Sequence, residues 1–582
     1  MEQRRVLLAI VLAFLVVYLW QAFVVKPLPK PAGVATPAQT SARQPPAAAA
    51  STPEGTAASA PATPPAAAAE PAAETLVGDK EEREIRVETR DVIAVFTNRG
   101  ARIRSWRLKH FLDPGKQPLE LVETSLASSH PLPFSLRTPD DGATRAVNGA
   151  LFAVKGAPSG GEQAGPVDLA FEYRDSAGRS ATKRFHIDPS GYEIGFSAAV
   201  AQGDRTLPVA VEWGPAVGDV GAASRYVTAP EGLLFANGSV QRLSPKDIAK
   251  QSTYDNDFRY AGVDDHYFIA VALFPGPSKV SYAPVTIPAP PDSKQPARTL
   301  VAYSIERNDG AAPQKFFFGP KDFDVLASID RDFVRAIDFG MFSVLVVPLL
   351  RSLKWVNGYV GNYGWSIVLL TIIINAIMFP LRHKSVVSMR KMQEIQPEVK
   401  AIQDRYAHLK ATDPAKQKMN QELMTLYRER GVNPASGCVP MLLTLPVLYA
   451  FYALLSKSIE LRGAPFVFWI HDLSMPDPLF ITPVLMGLSQ LWMQKMTPTQ
   501  PGADPAQQKM MMFMPVMFTF FFLWAPAGLA IYYAVSNIWG IGQQYLTNYL
   551  IGPPTIRTVR PPAERRLKRV GGGKTEAAAK ES

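Results

Sequence analysis

Long hydrophobic segments are the dominant pattern of this chain, and most of them lie towards its carboxyl end. The first, residues 6–25, holds about 20 mostly apolar residues, enough to cross a hydrocarbon core about 30 Å thick. Five more segments follow at residues 365–381, 439–456, 478–494, 510–524 and 528–550. The pattern predicts a polytopic α-helical membrane protein with six transmembrane helices. None of the last five segments contains Asp, Glu, Lys, Arg or His, which argues against transport coupled to protons or ions because such transport needs charge inside the membrane.

Between the first and second segments, the pattern indicates a linker and then a β domain. Residues 27–78 are rich in Pro, Ala, Thr and Ser, and such a composition predicts a disordered linker. In residues 79–327, short apolar runs recur between turn signals, which predicts one all-β domain, a large sandwich. The clearest predicted strands are residues 92–96, 169–173, 192–196, 209–213, 267–271 and 300–303, and the predicted hairpin turns are residues 98–100 and 175–178.

Residues 328–362 predict a helix that lies in the membrane interface rather than across the membrane. Their apolar stretch is interrupted by Pro348, Arg351 and Lys354, and two aromatic residues, Trp355 and Tyr359, lie close by. Aromatic and basic residues beside an apolar face are typical of an interfacial amphipathic helix. The helical core that follows, residues 363–551, holds the five remaining segments.

The longest loop within this core, residues 382–432, predicts an antiparallel helical hairpin. Its apolar side chains recur at intervals of three and four residues, as in a coiled-coil seam. They are Met392, Ile395, Val399, Ile402, Tyr406 and Leu409. Thr412, Asp413 and Pro414 supply a cap and a first-turn proline for the second helix, and Pro397 predicts a kink in the first.

The distribution of positive charge predicts the orientation in the membrane. Lys and Arg are concentrated in residues 382–432, 495–509 and 552–582. Because basic loops favour the cytoplasm, these parts and the amino terminus, which carries Arg4 and Arg5, are predicted to be cytoplasmic. Residues 1–26 then form an uncleaved anchor or, alternatively, a cleaved signal peptide. Residues 79–327 lie in the periplasm, and the whole is a multi-pass protein of a bacterial inner membrane.

The formal net charge is +10, but the distribution of the charge is more informative than its sum. Four clustered basic residues make the tail the best candidate for electrostatic docking to the ribosome or the signal recognition machinery. They are Arg565, Arg566, Lys568 and Arg569. The hairpin loop 382–432 could contact ribosomal RNA, a targeting particle or anionic lipid headgroups. The alternative is that the positive-inside rule alone accounts for most of its charge.

The sequence gives little support to catalysis or cofactor binding. Cys438 is the only cysteine, so no internal disulfide can form. Asp264, Asp265 and His266 resemble a metal cluster, but no second group of ligands is in view, and a structural or surface role is favoured. The chain has no HExxH, GxSxG or phosphate-loop motif. These observations predict a protein that is not an enzyme and that uses no metal or cofactor.

Several residue strings resemble the YidC family of membrane protein insertases. They are residues 461–466 with 469–474, 432–434 with 437–440, 494–498, 507–509 with 513–515, and 532–537, together with 318–321 at the end of the β domain. The resemblance implies an insertase that works alone or with the Sec translocon. It implies a periplasmic β-supersandwich and a five-helix core around a hydrophilic groove, open to cytoplasm and lipid and closed to the periplasm. The implied partners are nascent membrane proteins, Sec translocon components, the ribosome and signal recognition machinery, and membrane lipids.

The resemblance also implies positions in the groove. The family's groove threonine and tyrosine fall on Thr371 and Tyr533, and Asn375 occupies the position of the family's groove arginine. From the residues themselves, we expect other polar side chains of the core to complete the lining: Ser489, Gln490, Ser536 and Asn537. The alternative is that such side chains only bond helix to helix.

Three basic residues, Arg382, His383 and Lys384, mark the cytoplasmic rim of this groove and could attract acidic substrates. Arg382 follows Asn375 by about two helical turns. We therefore do not expect the charge of Arg382 to replace a charge in the middle of the groove directly.

Together these features predict an insertase and chaperone that inserts and helps to fold nascent inner-membrane proteins through a hydrophilic groove with lateral release to lipid. Two other classes of protein were weighed. A small-molecule or lipid transporter would need intramembrane charge or inverted repeats, and the sequence has neither. A membrane-anchored carbohydrate-binding or carbohydrate-processing protein would need paired carboxylates in residues 79–327, on whose spacing the sequence is silent.

Overall fold

The computed structural model of the chain describes residues 74–113, 115–126, 130–158, 160–215, 228–287, 298–406, 415–431, 439–496 and 505–552. All of these residues belong to one compact unit, Pro71–Ser582. The predicted anchor 1–26, the linker up to residue 73, Cys438 and the tail beyond residue 552 with its four clustered basic residues lie outside the described residues.

The first part of the described chain is a β domain made of two sheets. Its strands are β1 (Thr75–Val77), β2 (Glu84–Glu88), β3 (Val92–Thr97), β4 (Arg102–Leu112), β5 (Pro118–Glu120), β6 (Ser135–Arg137), β7 (Ala153–Lys155), β8 (Val167–Asp175), β9 (Arg179–Ile187), β10 (Glu193–Gln202), β11 (Arg205–Leu207), β12 (Ala210–Trp213), β13 (Glu231–Ala236), β14 (Ser239–Leu243), β15 (Thr253–Asp264), β16 (Phe268–Ile287), β17 (Arg298–Arg307) and β18 (Lys315–Pro320). The larger sheet follows the path β1-β8-β9-β10-β18-β16-β15-β13-β14, and β6, β7, β11, β12 and β17 pair beside this path. The smaller sheet has the order β2-β3-β4-β5.

The hairpin of β8 and β9 shows how the sequence builds these sheets. Apolar residues of β8 alternate with polar ones, and the apolar ones are buried, because successive side chains of a strand point to opposite faces. In the turn, Gly178 adopts a φ of +77°, which glycine reaches without steric cost. The Asp175 carboxylate accepts a hydrogen bond from the Arg179 backbone N–H at 2.9 Å and closes the turn. The predicted turn at residues 175–178 is therefore confirmed.

The two sheets pack face to face through aromatic side chains. Trp106 of β4 is fully buried and stacks on Phe318 of β18, with the ring centroids 5.6 Å apart. The Trp106 indole N–H donates to the Phe318 carbonyl at 2.9 Å, so its polar atom is also satisfied. The predicted β-sandwich is confirmed.

Eleven helices are described in addition to the strands. Three accompany the β domain: α1 (Asp141–Gly149), α2 (Pro245–Lys250) and α3 (Phe323–Ile329). The others are α4 (Ser343–Val360), α5 (Tyr363–Glu394), α6 (Gln396–Arg405), α7 (Ala415–Glu429), α8 (Val439–Lys457), α9 (Ile481–Met496), α10 (Pro505–Phe522) and α11 (Ala527–Ile551). Helix α4 occupies the predicted interfacial segment, and α5, α8, α9, α10 and α11 occupy the five predicted core segments. Among the described residues, only α5 is long and apolar enough to be a candidate membrane span by length and composition.

The loop between α5 and α8 forms the predicted hairpin. Tyr406 donates to Glu422 at 2.7 Å, and Arg430 pairs with Glu398 at 2.7 Å, so α6 and α7 run antiparallel. The kink expected at Pro397 takes the form of a break between two helices. Helix α5 ends at Glu394, and Pro397 lies in the first turn of α6, where its missing N–H costs no hydrogen bond.

Candidate substrate groove

A polar seam runs along the contact between α5 and α11, and Asn375 lies within it. Asn375 is 4% exposed, and its side-chain amide donates to the Thr371 carbonyl at 2.8 Å and to the Ser536 hydroxyl of α11 at 3.4 Å. Thr371 is fully buried, and its hydroxyl donates to the Ile367 carbonyl at 2.6 Å. The structure thus brings together three of the predicted groove residues, with Asn375 bridging two helices and the Thr371 hydroxyl bonded within its own helix.

Arg382 also reaches this seam. Its guanidinium donates to the Asn375 side-chain oxygen at 2.9 Å. The expectation was that Arg382, at the cytoplasmic rim, does not directly replace a charge in the middle of the groove; its side chain nevertheless reaches Asn375. Side chains of a helix point back towards its amino terminus, and an arginine is long enough to cover two turns in that direction.

Two of the remaining predicted lining residues, Ser489 and Asn537, belong to a second contact, between α9 and α11. The Asn537 amide donates to the Ser489 hydroxyl at 3.1 Å and to the Met486 carbonyl at 3.4 Å. These bonds join helix to helix, which is the alternative considered for this residue type. Gln490 is partly exposed on α9, and the Tyr533 ring packs against Phe522 of α10 at 4.9 Å.

The three rim residues have different surroundings. The His383 ring is within 3.2 Å of the Thr547 hydroxyl of α11, whereas Lys384 is exposed. A fourth basic residue, Arg390, was not predicted. It is buried and bonds to the Gly552 carbonyl and the Asn548 side chain at the end of α11. The sequence signal that could have indicated this contact is the row of polar residues near the end of the last apolar segment. Such polar residues require polar partners where they are buried.

Two buried polar atoms on α11 have no partner among the described residues: the Trp539 indole nitrogen and the Gln543 side-chain oxygen. Ser536, Trp539, Gln543 and Thr547 follow one another at intervals of three and four residues and so share one helical face. A buried polar atom without a protein partner is a place where water or a polar group of a bound molecule is stabilising.

The outward surfaces of α9 and α10 are apolar. Large side chains are exposed on both helices, among them Leu485, Leu488, Trp492, Phe513, Phe520 and Phe521. Contiguous exposed apolar surface of this kind marks contact with a membrane or another protein. The polar seam therefore lies in a helical unit whose surface suits lipid.

The β domain is joined to the helical unit by a buried histidine. The imidazole of His266 is within 2.7 Å of the Ser456 carbonyl at the end of α8, and its other ring nitrogen accepts from the Thr228 backbone N–H at 3.1 Å. These contacts define a neutral ring that donates through Nε2. Burial, reinforced by the charges of Lys457 and Lys321, lowers the pKa of His266 to about 4.

The neighbouring acids are also engaged by the protein. Asp264 accepts from Lys321 at 3.0 Å, and Asp265 accepts from the backbone N–H groups of Tyr267 and Phe268 at 2.8 and 2.6 Å. Of the structural or surface role expected for Asp264, Asp265 and His266, these contacts and the burial of all three residues support the structural one. Within the described ranges, no group of three potential metal ligands was found.

A second contact between the β domain and the helical unit involves α4. The Lys354 ammonium contacts Asp324 at 2.6 Å and Asp322 at 3.6 Å in the β domain, and Glu460 after α8 at 3.1 Å. Burial alone would lower the pKa of Lys354, but the three carboxylates outweigh it and raise that pKa. Helix α4 is therefore fixed to both the β domain and the helical unit.

A β-sandwich joined to helices with an exposed apolar surface and a polar seam is the arrangement expected of an α-helical membrane protein with a large globular domain. Comparison with known proteins then identifies the family. The family model described as the YidC periplasmic domain matches residues 84–352, and the model described as the 60Kd inner membrane protein matches residues 355–552. The chain belongs to the YidC family of membrane protein insertases.

Individual relatives match over most of their length. A membrane protein insertase YidC of Pelobacter propionicus is 33% identical over 581 residues, covering 94% of this chain and 99% of the relative. A membrane protein insertase YidC of Geobacter sulfurreducens is 36% identical over 467 residues, covering 78% of this chain and 84% of the relative. A crystal structure of an active YidC insertase with its first transmembrane domain resolved covers 82% of this chain and 95% of its own, at 19% identity and a TM-score of 0.33.

Proposed function

We propose that the seam between α5 and α11 receives the polar flank of a nascent membrane protein, while the apolar faces of α9 and α10 release its hydrophobic segment to lipid. The observation that supports this most directly is the row of buried and half-buried polar groups within otherwise apolar helices. They are Asn375, Arg382, Ser536, Trp539 and Gln543.

The energetic reason lies in the cost of crossing hydrocarbon. Each polar group without a hydrogen-bond partner costs several kcal/mol there. Partners along the seam lower that cost, and burial of the apolar segment in lipid drives the step without ATP or a proton relay. Helix α9 has 16 residues, about 24 Å at about 1.5 Å per residue, less than the ~30 Å hydrocarbon core. Such a mismatch favours a locally thinner bilayer and a shorter polar crossing.

We further propose the organisation given by the sequence. Six helices span the inner membrane with both termini in the cytoplasm, α4 lies in the interface, and the β domain is periplasmic. The segments are residues 1–26, 27–78, 79–327, 328–362, 363–551 and 552–582. In this arrangement the protein acts by binding and solvation, without enzymatic chemistry or a cofactor.

The substrates in this proposal are nascent inner-membrane proteins, delivered alone or through the Sec translocon. The hairpin α6–α7 projects into the cytoplasm, where it and the basic tail contact the ribosome or the signal recognition machinery. Its surface offers side chains of both signs, such as Arg430 paired with Glu398, so the tail is the stronger candidate for binding RNA.

Site-directed photocrosslinking tests the path. A photoreactive residue at position 371, 375 or 539 of the full-length protein is expected to crosslink to the polar flank of a stalled single-span substrate. The control is position 377, since Ile377 lies on the same helix and is 73% exposed; a probe there is expected to reach lipid or the apolar segment. If the substrate inserts but reaches none of positions 371, 375 and 539, the seam is not its path.

A further inference from the structure

An exposed aromatic side chain lies at the tip of the loop between α8 and α9, residues 458–480. The tip is a turn at residues 466–470, which we call the aromatic turn. Phe468 at its apex is 85% exposed, and its backbone has a φ of +52°, in the left-handed region that residues with a Cβ rarely adopt. A glycine would adopt this conformation without steric cost. An aromatic residue at this position therefore indicates a role for the side chain itself.

The aromatic turn has a fixed shape. The Phe466 N–H donates to the Ile470 carbonyl at 3.0 Å and closes the turn. The Phe468 ring stacks on the Trp469 ring, with the centroids 5.9 Å apart, and the Trp469 indole N–H donates to the Asp477 carboxylate at 2.9 Å. The exposed ring is therefore presented by a hydrogen-bonded support.

The aromatic turn is also bonded to the beginnings of α5 and α9. The Asn362 side-chain amide donates to the Phe466 carbonyl at 3.2 Å, and the Phe466 ring packs against Trp365 with the centroids 5.3 Å apart. Asp477, which holds Trp469, also accepts from the Thr482 N–H in the first turn of α9 at 2.7 Å. The position of the turn is thus coupled to the position of both helices.

The loop turns its charges towards the protein and its apolar side chains outwards. Asp477 is 1% exposed, and Asp472 accepts from the Ser474 hydroxyl at 2.7 Å. The Arg462 guanidinium lies over the Phe268 ring of the β domain, 5.4 Å from its centroid. In water the opposite arrangement is expected. The outward surface carries large apolar side chains instead: Phe468, Met475, Leu479 and Phe480.

This apolar surface continues without interruption into α9. Ile481 follows Phe480 directly, and Val484, Leu485 and Leu488 are exposed further along the helix. In a membrane protein, an exposed apolar helix face of this kind contacts lipid. Aromatic rings are concentrated where the hydrocarbon meets the headgroups, because that boundary suits an apolar ring. Continuity with α9 therefore favours lipid as the partner of the aromatic turn.

We propose that the aromatic turn inserts Phe468 into the lipid leaflet on the side of the β domain and so fixes the depth of the amino-terminal ends of α5 and α9. The partner is the boundary between acyl chains and headgroups. The contact is apolar, so its strength is expected to be independent of ionic strength. This anchoring does not depend on the path of a substrate, and it holds whether or not the seam between α5 and α11 is that path.

Spin-label depth in vesicles of phosphatidylethanolamine and phosphatidylglycerol tests the location. The full-length protein with Cys438→Ser receives one nitroxide-labelled cysteine at position 468, 488 or 112. Leu488 on α9 and Leu112 on β4 are similarly exposed apolar residues, at 58% and 52%, and serve as the lipid and water references. The ratio of collisions with oxygen to collisions with a polar nickel complex is expected to be about tenfold higher at 468 than at 112, since hydrocarbon excludes the complex.

A photoreactive lipid tests the unaltered side chain. A lipid with a diazirine near the headgroup end of an acyl chain is expected to label residues 466–470 of the wild-type protein. Phe468→Ser is expected to lower this labelling about tenfold, because the apolar contact is lost. Phe468→Trp keeps an aromatic ring and is expected to retain the labelling. The matched control is His471→Ser, which changes an exposed polar residue of the same loop and is expected to have no effect.

The anchoring role has its own measurement. In a chain labelled at position 479, Phe468→Ser is expected to shift the label towards water, whereas Phe468→Trp leaves its depth unchanged. An unchanged depth at 479 in both variants would overturn the anchoring role.

Two results at position 468 would also overturn the proposal. A collision ratio equal to that at 112 would place the aromatic turn in water. Protection from both oxygen and the nickel complex would show that protein covers the turn, either a second copy of this chain or a neighbouring helix. Equal lipid labelling of the wild type and Phe468→Ser would likewise show that the ring makes no contact with lipid.

Discussion

Replacing His266 with alanine tests whether the β domain is coupled to α8 by one buried ring. His266 is 5% exposed, and its ring donates to the Ser456 carbonyl and accepts from the Thr228 N–H. Carbonyls in the last turn of a helix have no hydrogen-bond partner within the helix. The His266 ring therefore supplies the hydrogen bond that the Ser456 carbonyl lacks within α8. Its loss leaves the buried Ser456 carbonyl and the half-buried Thr228 N–H unsatisfied, each at about 1–3 kcal/mol.

The expected result is faster local opening at this junction. A total of at least about 2 kcal/mol corresponds to about 30-fold faster exchange of protected amides near the end of α8 and around residue 228. Hydrogen–deuterium exchange of the full-length protein in lipid nanodiscs measures it. His266→Gln is the matched control, because a glutamine amide can donate to Ser456 and accept from Thr228. Wild-type exchange in the alanine variant would refute the reasoning.

The same ring predicts a pH dependence. Its pKa is lowered to about 4 from an ordinary 6.5, so between these values the unfolded chain binds the extra proton. Stability is therefore expected to fall as pH decreases from 6.5 to 4, by about 3 kcal/mol in all. The contribution of Asp265 to stability changes with pH in the opposite direction, since burial raises the pKa of this carboxyl to about 7. The comparison with His266→Gln isolates the histidine, and an identical pH profile in that variant would contradict the assignment.

Other changes probe the two halves separately. Lys183 is fully buried in the β domain and donates to three backbone carbonyls. Lys183→Met is therefore expected to lower the free energy of unfolding by about 2–4 kcal/mol, measured by thermal unfolding followed by circular dichroism. An unchanged unfolding midpoint would mean that the desolvation of the ammonium cancels its bonds. A Cβ on Gly487 would lie 1.9 Å from the Thr519 hydroxyl, so Gly487→Ala is expected to separate α9 from α10 and lower the melting temperature in detergent, with partial recovery on adding Thr519→Ala. Lys354→Met leaves the buried Glu460 carboxylate without its cation, at about 3–5 kcal/mol, and Glu460→Gln in the same chain should recover most of the loss.

The sequence predicted the features that depend on local patterns. A short apolar run between turn signals predicted residues 92–96 as a strand, and the structure has Val92–Thr97. Apolar segments predicted the positions of the core helices, since a hydrophobic run and its bounds are properties of neighbouring residues. The hairpin between them followed from its repeat of three and four.

Contacts between distant parts of the chain were out of reach of such patterns. His266 and Ser456 are 190 residues apart, and nothing in either neighbourhood indicates the other. For Arg382, sequence spacing placed the backbone correctly but not the direction of the side chain. Asn375 was recognised as a groove residue, yet its oxygen could be assigned to Arg382 only once the bonds of its nitrogen were known.

The junction at His266 leads to an unexpected ranking of two perturbations. Deleting residues 79–327 removes the ring, but it also opens the Ser456 carbonyl to water, which supplies the missing hydrogen bond. Lys354 keeps Glu460 as its partner after the deletion. Exchange at the end of α8 is therefore expected to be slower in the deletion variant than in His266→Ala, where the carbonyl stays covered and unpaired. Faster exchange in the deletion variant would show that the β domain stabilises α8 through packing and not through this bond.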